Sequence, residues 1–200
     1  MTQVRKFRLM RNAVKIAIDF DGTIADTNVI KVDWIKKHLG LQVPPWKCDR
    51  TSCVPIIGSA NYEMMAKFVY GDEGTSTAKP NLGAIQAIKT LTSSFVLYVF
   101  TDRRAAHLAF AEKWLMAHSI REFFEAVISS ANVEKSNLCL DYGIGVLFDD
   151  DLSHLVCCEN KNIRAILFKP GPEEINLPDG VFRVKRWSEF VKHISRRAID

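Results

Sequence analysis

Short apolar runs recur along the chain, and within them polar residues do not alternate. The first is Val14-Lys15-Ile16-Ala17-Ile18-Asp19-Phe20. Its β-branched, nearly continuous apolar character predicts a parallel strand buried on both faces. The same signature predicts strands at Phe95 to Phe100, Ala126 to Ile128, Gly145 to Phe148 and Ile163 to Phe168, with a weaker sixth at Val181 to Val184.

Between these runs the period changes to that of a helix. Asn81 to Leu91 places Leu82, Ile85, Ile88 and Leu91 on one stripe, with Asn81 able to cap. Arg104 to His118 carries Leu108, Ala111, Trp114 and Leu115, and Arg186 to Ile194 carries Trp187, Phe190, Val191 and Ile194. Asp151 to Asn160 is a shorter helical candidate, capped by Asp151. Strands alternating with helices predict an α/β fold: a doubly wound parallel sheet with right-handed crossovers, covered on both faces.

One stretch breaks the alternation. Residues 27 to 80 hold no comparable run, but show helical patterns at Val29 to Leu39 and Ala60 to Tyr70, around a bend at Val43-Pro44-Pro45. A structureless loop of that length does not suit a compact domain. The stretch therefore reads as a small helical insertion after the first strand, within a single domain whose core is 13–26 and 81–200.

Composition narrows the class. The chain has 200 residues, 48% hydrophobic and 25% charged, which suits one folded domain and argues against disorder. No apolar run approaches the roughly 18 residues of a membrane span. The N-terminal apolar run is short and broken by Asp19 and Asp21, so it does not read as a secretory signal. Five cysteines, two of them the adjacent Cys157 and Cys158, make a poor disulfide framework and point to reduced thiols and a cytoplasmic setting. No cysteine or histidine spacing matches a zinc site. The Cys157-Cys158 pair is expected to pack inside the short helix.

The net charge of +4 is a mild bias that suits an anionic small substrate better than nucleic acid. Basic residues gather at Arg5, Lys6, Arg8 and Arg11 and at Lys185, Arg186, Lys192, Arg196 and Arg197, and read as solvated termini. A homodimer is compatible with this reading; a membrane partner is not expected.

In open α/β sheets the ligand crevice lies outside the carboxyl ends of the strands. There the sequence puts Asp19-Phe20-Asp21-Gly22-Thr23 after the first strand, Thr101-Asp102 after the second and Asp149-Asp150-Asp151 after the fourth, with Lys135 between the third and fourth. Carboxylates from separate strands make a hard oxygen site suited to Mg²⁺. A carboxylate can attack phosphorus, and a second one two residues on can move the proton. Thr and Lys can donate to the phosphoryl oxygens. Asp-x-Asp-Gly-Thr is the specific signal, with a chance match on the order of one in 10⁵ per position. Taken singly, Thr101, Lys135 and the acidic run also read as a strand residue, a surface lysine and a helix cap.

With these residues the chain resembles the haloacid dehalogenase-like (HAD) hydrolase superfamily over almost its whole length. Asp19 and Asp21 match the first motif, Thr101 the second, Lys135 the third, and Asp149-Asp150 the fourth. The resemblance implies a Rossmann-like core, a cap formed by residues 27–80, and a Mg²⁺-dependent phosphohydrolase working through an aspartyl-phosphate. Asp19 would be the nucleophile and a metal ligand. Asp21 would be the acid/base, its backbone carbonyl on the metal. Thr101 and Lys135 would hold the phosphoryl group, and Asp150 would complete the metal shell, with Asp149 as the alternative ligand or acting through water. Lys113 and Lys161 compete with Lys135 but lie in other segments. Family dehalogenases lack the second acid, so Asp21 favours phosphate-ester chemistry.

The cap and the ending Phe182 to Phe190 resemble, more loosely, the cytosolic 5′(3′)-deoxyribonucleotidase branch. That implies a small phosphorylated substrate, a nucleotide or else a sugar phosphate. Asp102-Arg103-Arg104 follows Thr101 where that branch has a small polar residue. Arg103 or Arg104 either reaches the substrate anion as a bidentate donor or is ordinary charge at a helix start. Asp102 and Arg103 are thus the substrate-side candidates, together with Trp46, the cap aromatic best placed for an exposed contact. Trp34, Tyr62, Phe68 and Tyr70 could stack on a base or simply build the cap's core. His38, His107, His118 and His154 read as packing or surface residues.

Two rival classes remain. A phosphate-receiver signalling domain uses similar groups but puts its acidic pair first and its lysine last, and has no cap-sized insertion. A HAD-like protein that binds without turnover would keep the fold and lose the chemistry. Nucleic-acid-end phosphatases and phosphotransferases stay open as other substrates for the same site.

Overall fold

The structure, a computed structural model, describes residues 13–196, and not the side chain of Arg196. The basic cluster at Arg5, Lys6, Arg8 and Arg11, and the charges of Arg196 and Arg197, lie outside it.

All six anticipated strands form: β1 (Lys15–Ile18), β2 (Val96–Thr101), β3 (Phe124–Ser129), β4 (Val146–Asp149), β5 (Arg164–Phe168) and β6 (Val181–Val184). They make one parallel sheet in the order β3-β2-β1-β4-β5-β6. The continuous apolar runs follow from burial on both faces. Ile16 and Ile18 pack on one face with Val99, Phe148 and Ile166, while Ala17, Phe100, Leu147 and Leu167 pack on the other.

The helices are α1 (Thr27–Leu39), α2 (Arg50–Ile57), α3 (Ser59–Val69), α4 (Asp72–Thr77), α5 (Ala84–Leu91), α6 (Ala105–Ala117), α7 (Lys135–Tyr142) and α8 (Trp187–Arg196). α5, α6 and α8 cover the first face through Ile88, Trp114, Trp187 and Phe190. Trp187 is fully buried, meets Phe148 edge-on at 5.1 Å and donates its indole N–H to the Thr23 carbonyl. α7 covers the second face through Leu138 and Cys139.

The insertion between β1 and β2 is all helical. α1 to α3 close a separate core of Ile35, Val43, Cys48, Cys53, Ile57, Tyr62, Met65 and Val69. Two of its helices gave no periodic signal. α2 is capped by Asp49, which accepts from the Ser52 N–H, but Pro55 interrupts its pattern. α4 is polar throughout, and Gly74 lets it lie against the Val69 backbone, where a Cβ would come within 2.7 Å of that residue's Cα.

Three local expectations fail. Leu82 is 96% exposed, because the helix starts only after Gly83, whose φ of 85° turns the chain. Asn81 does not cap that helix; its amide donates to the Gly22 and Thr23 carbonyls and pins the loop after β1. The stretch from Asp151 to Asn160 forms two 3₁₀ turns (Leu152–His154 and Glu159–Lys161) rather than a helix. Asp151 does cap the first, accepting from the Ser153 N–H. Cys158 is buried and Cys157 partly so, in the turn between them rather than in a helix.

Candidate active site

The switch point of this strand order falls between β1 and β4, and both strands end in carboxylates there. β1 runs directly into Asp19, whose backbone N–H continues the pairing by donating to the Phe148 carbonyl at 2.8 Å. The chain then turns sharply. Gly22 N–H donates to the Ala25 carbonyl, and Gly22 takes a φ of 83°. A Cβ here would sit 2.1 Å from Asp150 Oδ2, so both the turn and the closeness of the two acidic loops require glycine.

Asp19, Asp149 and Asp150 are buried, and each offers an oxygen within 4.8 Å of the others. Lys135, 2% exposed, projects from the first turn of α7 between two of them. Its Nζ lies 2.6 Å from Asp19 Oδ1 and 2.6 Å from Asp149 Oδ2. The competing lysines are elsewhere: Lys113 pairs with Asp72 at the surface, and Lys161 donates to Ser136 and Asn137.

The charges are unequally served. Burial raises Asp19 well above the usual carboxylate range; Lys135 opposes this, and Asp149 and Asp150 add to it. Burial likewise pushes Asp150 up to about 7, against Lys31 and with Asp149. Asp149 goes the other way: burial is overcome by Lys135 and by His154, and the carboxyl falls well below its ordinary range. Burial opposes charge on Lys135 too, but Asp149 and Asp19 hold it protonated.

Lys135 thus pairs with two of the three buried carboxylates; the third, Asp150, accepts the amide of Asn28 at 3.0 Å and is within ion-pair distance of no cation among the described residues. A hard oxygen set short of positive charge fits Mg²⁺.

Asp21 stands outside this cluster. Arg103 grips its carboxylate with Nε to Oδ2 at 2.8 Å and Nη2 to Oδ1 at 2.8 Å. Thr101, fully buried at the end of β2, adds a long bond to Oδ2 at 3.4 Å. Arg103 is 1% exposed, lies over the Phe20 ring, and donates to the Thr75 hydroxyl and the Tyr70 carbonyl of the insertion. Both guanidinium edges are therefore occupied, and Arg103 does not stand free as a substrate clamp. A lysine cannot reproduce the fork. Arg103→Lys is expected to lower kcat of the reaction carried at this site about 10- to 100-fold while changing KM less, as measured by steady-state kinetics.

Asp102 borders the cavity, half exposed, accepting from Ser130 at 2.6 Å and pairing with His154 Nε2 at 3.1 Å. His154 Nδ1 lies 3.1 Å from Asp149, so one ring bridges two carboxylates. Burial opposes its charge, yet Asp149 and Asp102 lift it to about 11. Against burial, the hydrogen bond from His154 and the charge of Lys135 bring Asp102 down to about 2. Trp46 is not brought to the site. Its indole packs over Gly171, where a Cβ would meet the ring at 2.5 Å, and it takes no part in the cavity wall.

The cavity over these groups is about 660 Å³, floored by the strand ends and walled by α1, α3 and the start of α2. Polar contacts join the two sides. Thr51 Oγ1 donates to Asp151 at 2.8 Å, Lys169 pairs with Asp49, and Asn28 bonds Asp150. Tyr62 and Tyr70 line the wall; Trp34 and Phe68 face a separate outer hollow, with His38 stacked on Trp34. His107 reaches the cavity, and His118 stacks on Trp114.

Sequence reasoning missed His154, Asn28 and Lys31. His154 sits in an irregular turn and gave no signal. Asn28 and Lys31 share the buried stripe of α1 with Thr27 and Ile35. Polar residues at i, i+3 on a core-facing stripe are a readable sign of a lined cavity.

The sheet order, the Asp-x-Asp loop after β1 and the acidic end of β4 define the class: the chain has the fold of HAD hydrolases. Solved structures agree. A haloacid dehalogenase-like hydrolase from Streptococcus pneumoniae superposes with a TM-score of 0.65 at 17% identity, over 92% of this chain and 100% of that one. The HAD-hydrolase YfnB from Bacillus subtilis, in a magnesium-bound form, gives 0.61 at 14% identity, over 91% and 98%. A protein described as a predicted phosphoglycolate phosphatase from Haemophilus somnus gives 0.61 at 14% identity, over 90% and 97%. No protein-family model and no curated protein sequence matches the chain. No helix among the described residues is long and apolar enough to cross a membrane.

Proposed function

We propose that the chain is a Mg²⁺-dependent phosphohydrolase that cleaves a phosphate monoester through an aspartyl-phosphate. The observation that carries this reading is the division of labour between two carboxylates two residues apart. Asp19 lies among acids and shares Lys135, whereas Asp21 is held by the Arg103 fork, with a longer bond from Thr101.

In this reading an Asp19 carboxylate oxygen attacks phosphorus, and the ester oxygen departs with a proton from Asp21. Asp21 then takes a proton from water as that water attacks the aspartyl-phosphate. Phosphate leaves, Asp19 is again a carboxylate, and Asp21, which entered the cycle as the acid, again carries the proton it gave. Lys135 and the Thr101 hydroxyl donate to the phosphoryl oxygens, where charge spreads. Arg103 keeps Asp21 pointed at the leaving oxygen. His154 and Lys135 together hold Asp149 in place. Asp19, Asp150 and the Asp21 carbonyl, with Asp149 beside them, would hold Mg²⁺, which would neutralise and orient the phosphoryl group.

Residues 27–80 act as the cap that keeps bulk water from the aspartyl-phosphate. Tyr62 and Tyr70 in its wall favour a nucleoside monophosphate as the finer assignment, with sugar phosphates as the alternative. Five free cysteines fit a reducing, cytoplasmic setting.

The test is phosphate release from deoxynucleoside monophosphates and sugar phosphates. Release is expected with Mg²⁺ and is expected to disappear with a chelator. Turnover confined to sugar phosphates would remove the nucleotide assignment. Folded, Mg²⁺-bound protein that releases nothing from either group would move the reading to a binding protein.

A further inference from the structure

The insertion carries a buried cation that the chemistry above does not use. Lys31 is 2% exposed and stands in the cavity wall, one helical turn beyond Asn28. Its Nζ donates to Asn28 Oδ1 at 3.2 Å and to the Cys48 carbonyl at 3.1 Å. Both acceptors are neutral. The Tyr70 ring lies 5.8 Å away, and the Asp150 and Asp21 carboxylates act on the ammonium only from beyond ion-pair distance. An ammonium has three donors, and two are spent.

The other buried cations at this site are matched. Arg103 holds Asp21, Lys169 holds Asp49, and Lys135 serves Asp19 and Asp149. Lys67 and Arg104, at the mouth, are exposed to water. Lys31 alone among the described cations buried at the cavity has no anion in ion-pair distance. Asp150 acts on it only from beyond Asn28, which bonds both. Burying a charge is costly unless it is paired directly, and an anion that enters the cavity can supply that direct partner.

Position says which anion. Lys31 belongs to the insertion, and Asn28 stands between it and Asp150. The phosphoryl group already has Lys135 and Thr101 on the floor. What faces the insertion wall is the leaving half of the substrate.

We propose that Lys31 binds a second anionic group, a carboxylate or a second phosphate, on the leaving half of the substrate. The preferred substrates are then phosphate esters that carry another anion near the ester bond. This deepens the phosphohydrolase reading and rests on it for the placement of the scissile group.

Matched pairs test it. One pair is 3-phosphoglycerate against glycerol 3-phosphate. The other is deoxyadenosine 3′,5′-bisphosphate against deoxyadenosine 5′-monophosphate. Affinity is measured by calorimetry in Mg²⁺ on Asp19→Asn protein, which leaves the ester intact, and hydrolysis is measured on the native chain. At least one bis-anionic member is expected to bind about tenfold or more tightly than its partner. Preference in the first pair alone assigns a carboxylate, and in the second alone a phosphate.

In Lys31→Met protein the preference is expected to fall to within about threefold, and Lys31→Arg should retain part of it. Equal affinities in both pairs, including no binding of any member at millimolar concentration, overturn the inference without any Lys31 variant having to fold. A preference that survives in folded Lys31→Met overturns it as well. Preferential, Lys31-dependent binding with no hydrolysis of any ester would keep the anion site and remove the phosphohydrolase reading. Hydrolysis without preference would do the reverse.

Discussion

Asp19→Asn is expected to slow phosphate release by about 10⁴-fold or more, with no loss of stability. The two parts have different causes. Activity falls because an amide oxygen is a poor nucleophile and cannot form the aspartyl-phosphate. Stability holds because the native carboxylate is not comfortable where it sits: burial raises it, and Asp149 and Asp150 add repulsion. A neutral isostere removes that cost and leaves Lys135 its second partner, Asp149, at 2.6 Å. Thermal unfolding without metal should therefore give a Tm equal to or above that of the native chain. Denaturing quench during turnover should trap one phosphoryl group on the Asp19 peptide of the native chain and none in the variant. A variant active within tenfold of the native chain would dismiss Asp19 as the nucleophile.

What could be read in advance follows from the range over which each signal is local. The strands were legible because burial on both faces forces a continuous apolar run, as in Ile16-Ala17-Ile18 and Val146-Leu147-Phe148. Asp19, Asp149 and Asp150 were legible because strand ends place them without further help. The partners of those residues were not. Arg103 reads from the sequence as either a substrate clamp or surface charge; buried against Asp21, it is neither, because the pairing is set by how the β2 end packs against the loop after β1. His154 required the irregular turn after β4, where Ser153 and His154 curl back through the Asp151 cap. Trp46 looked exposed beside Pro45, but Gly171, more than a hundred residues away, offers a flat surface that no local pattern reveals. α4 has no apolar stripe; it forms because Gly74 admits close contact with Val69 and because Thr75 receives Arg103.

Lys135→Met should have the largest effect on the fold. The lysine is buried and stands 2.6 Å from each of two buried carboxylates. Removing one partner from such a group leaves like charges facing each other without water, a loss of about 3–5 kcal/mol. For a chain of this size that corresponds to a fall in Tm of roughly 10 °C. Two further measurements separate this cause from simple loss of packing. Adding Asp149→Asn to Lys135→Met should restore much of the lost Tm, because it removes one of the two facing charges, while His154 still has Asp102 at 3.1 Å. Mg²⁺ should raise the Tm of Lys135→Met more than that of the native chain, since a cation bound only by the folded state takes over the neutralisation that the lysine performed. Activity should stay lost in both variants, because the phosphoryl oxygens would have no ammonium to meet. If the double variant is no more stable than Lys135→Met alone, carboxylate repulsion is not what Lys135 relieves, and its role at the site is packing.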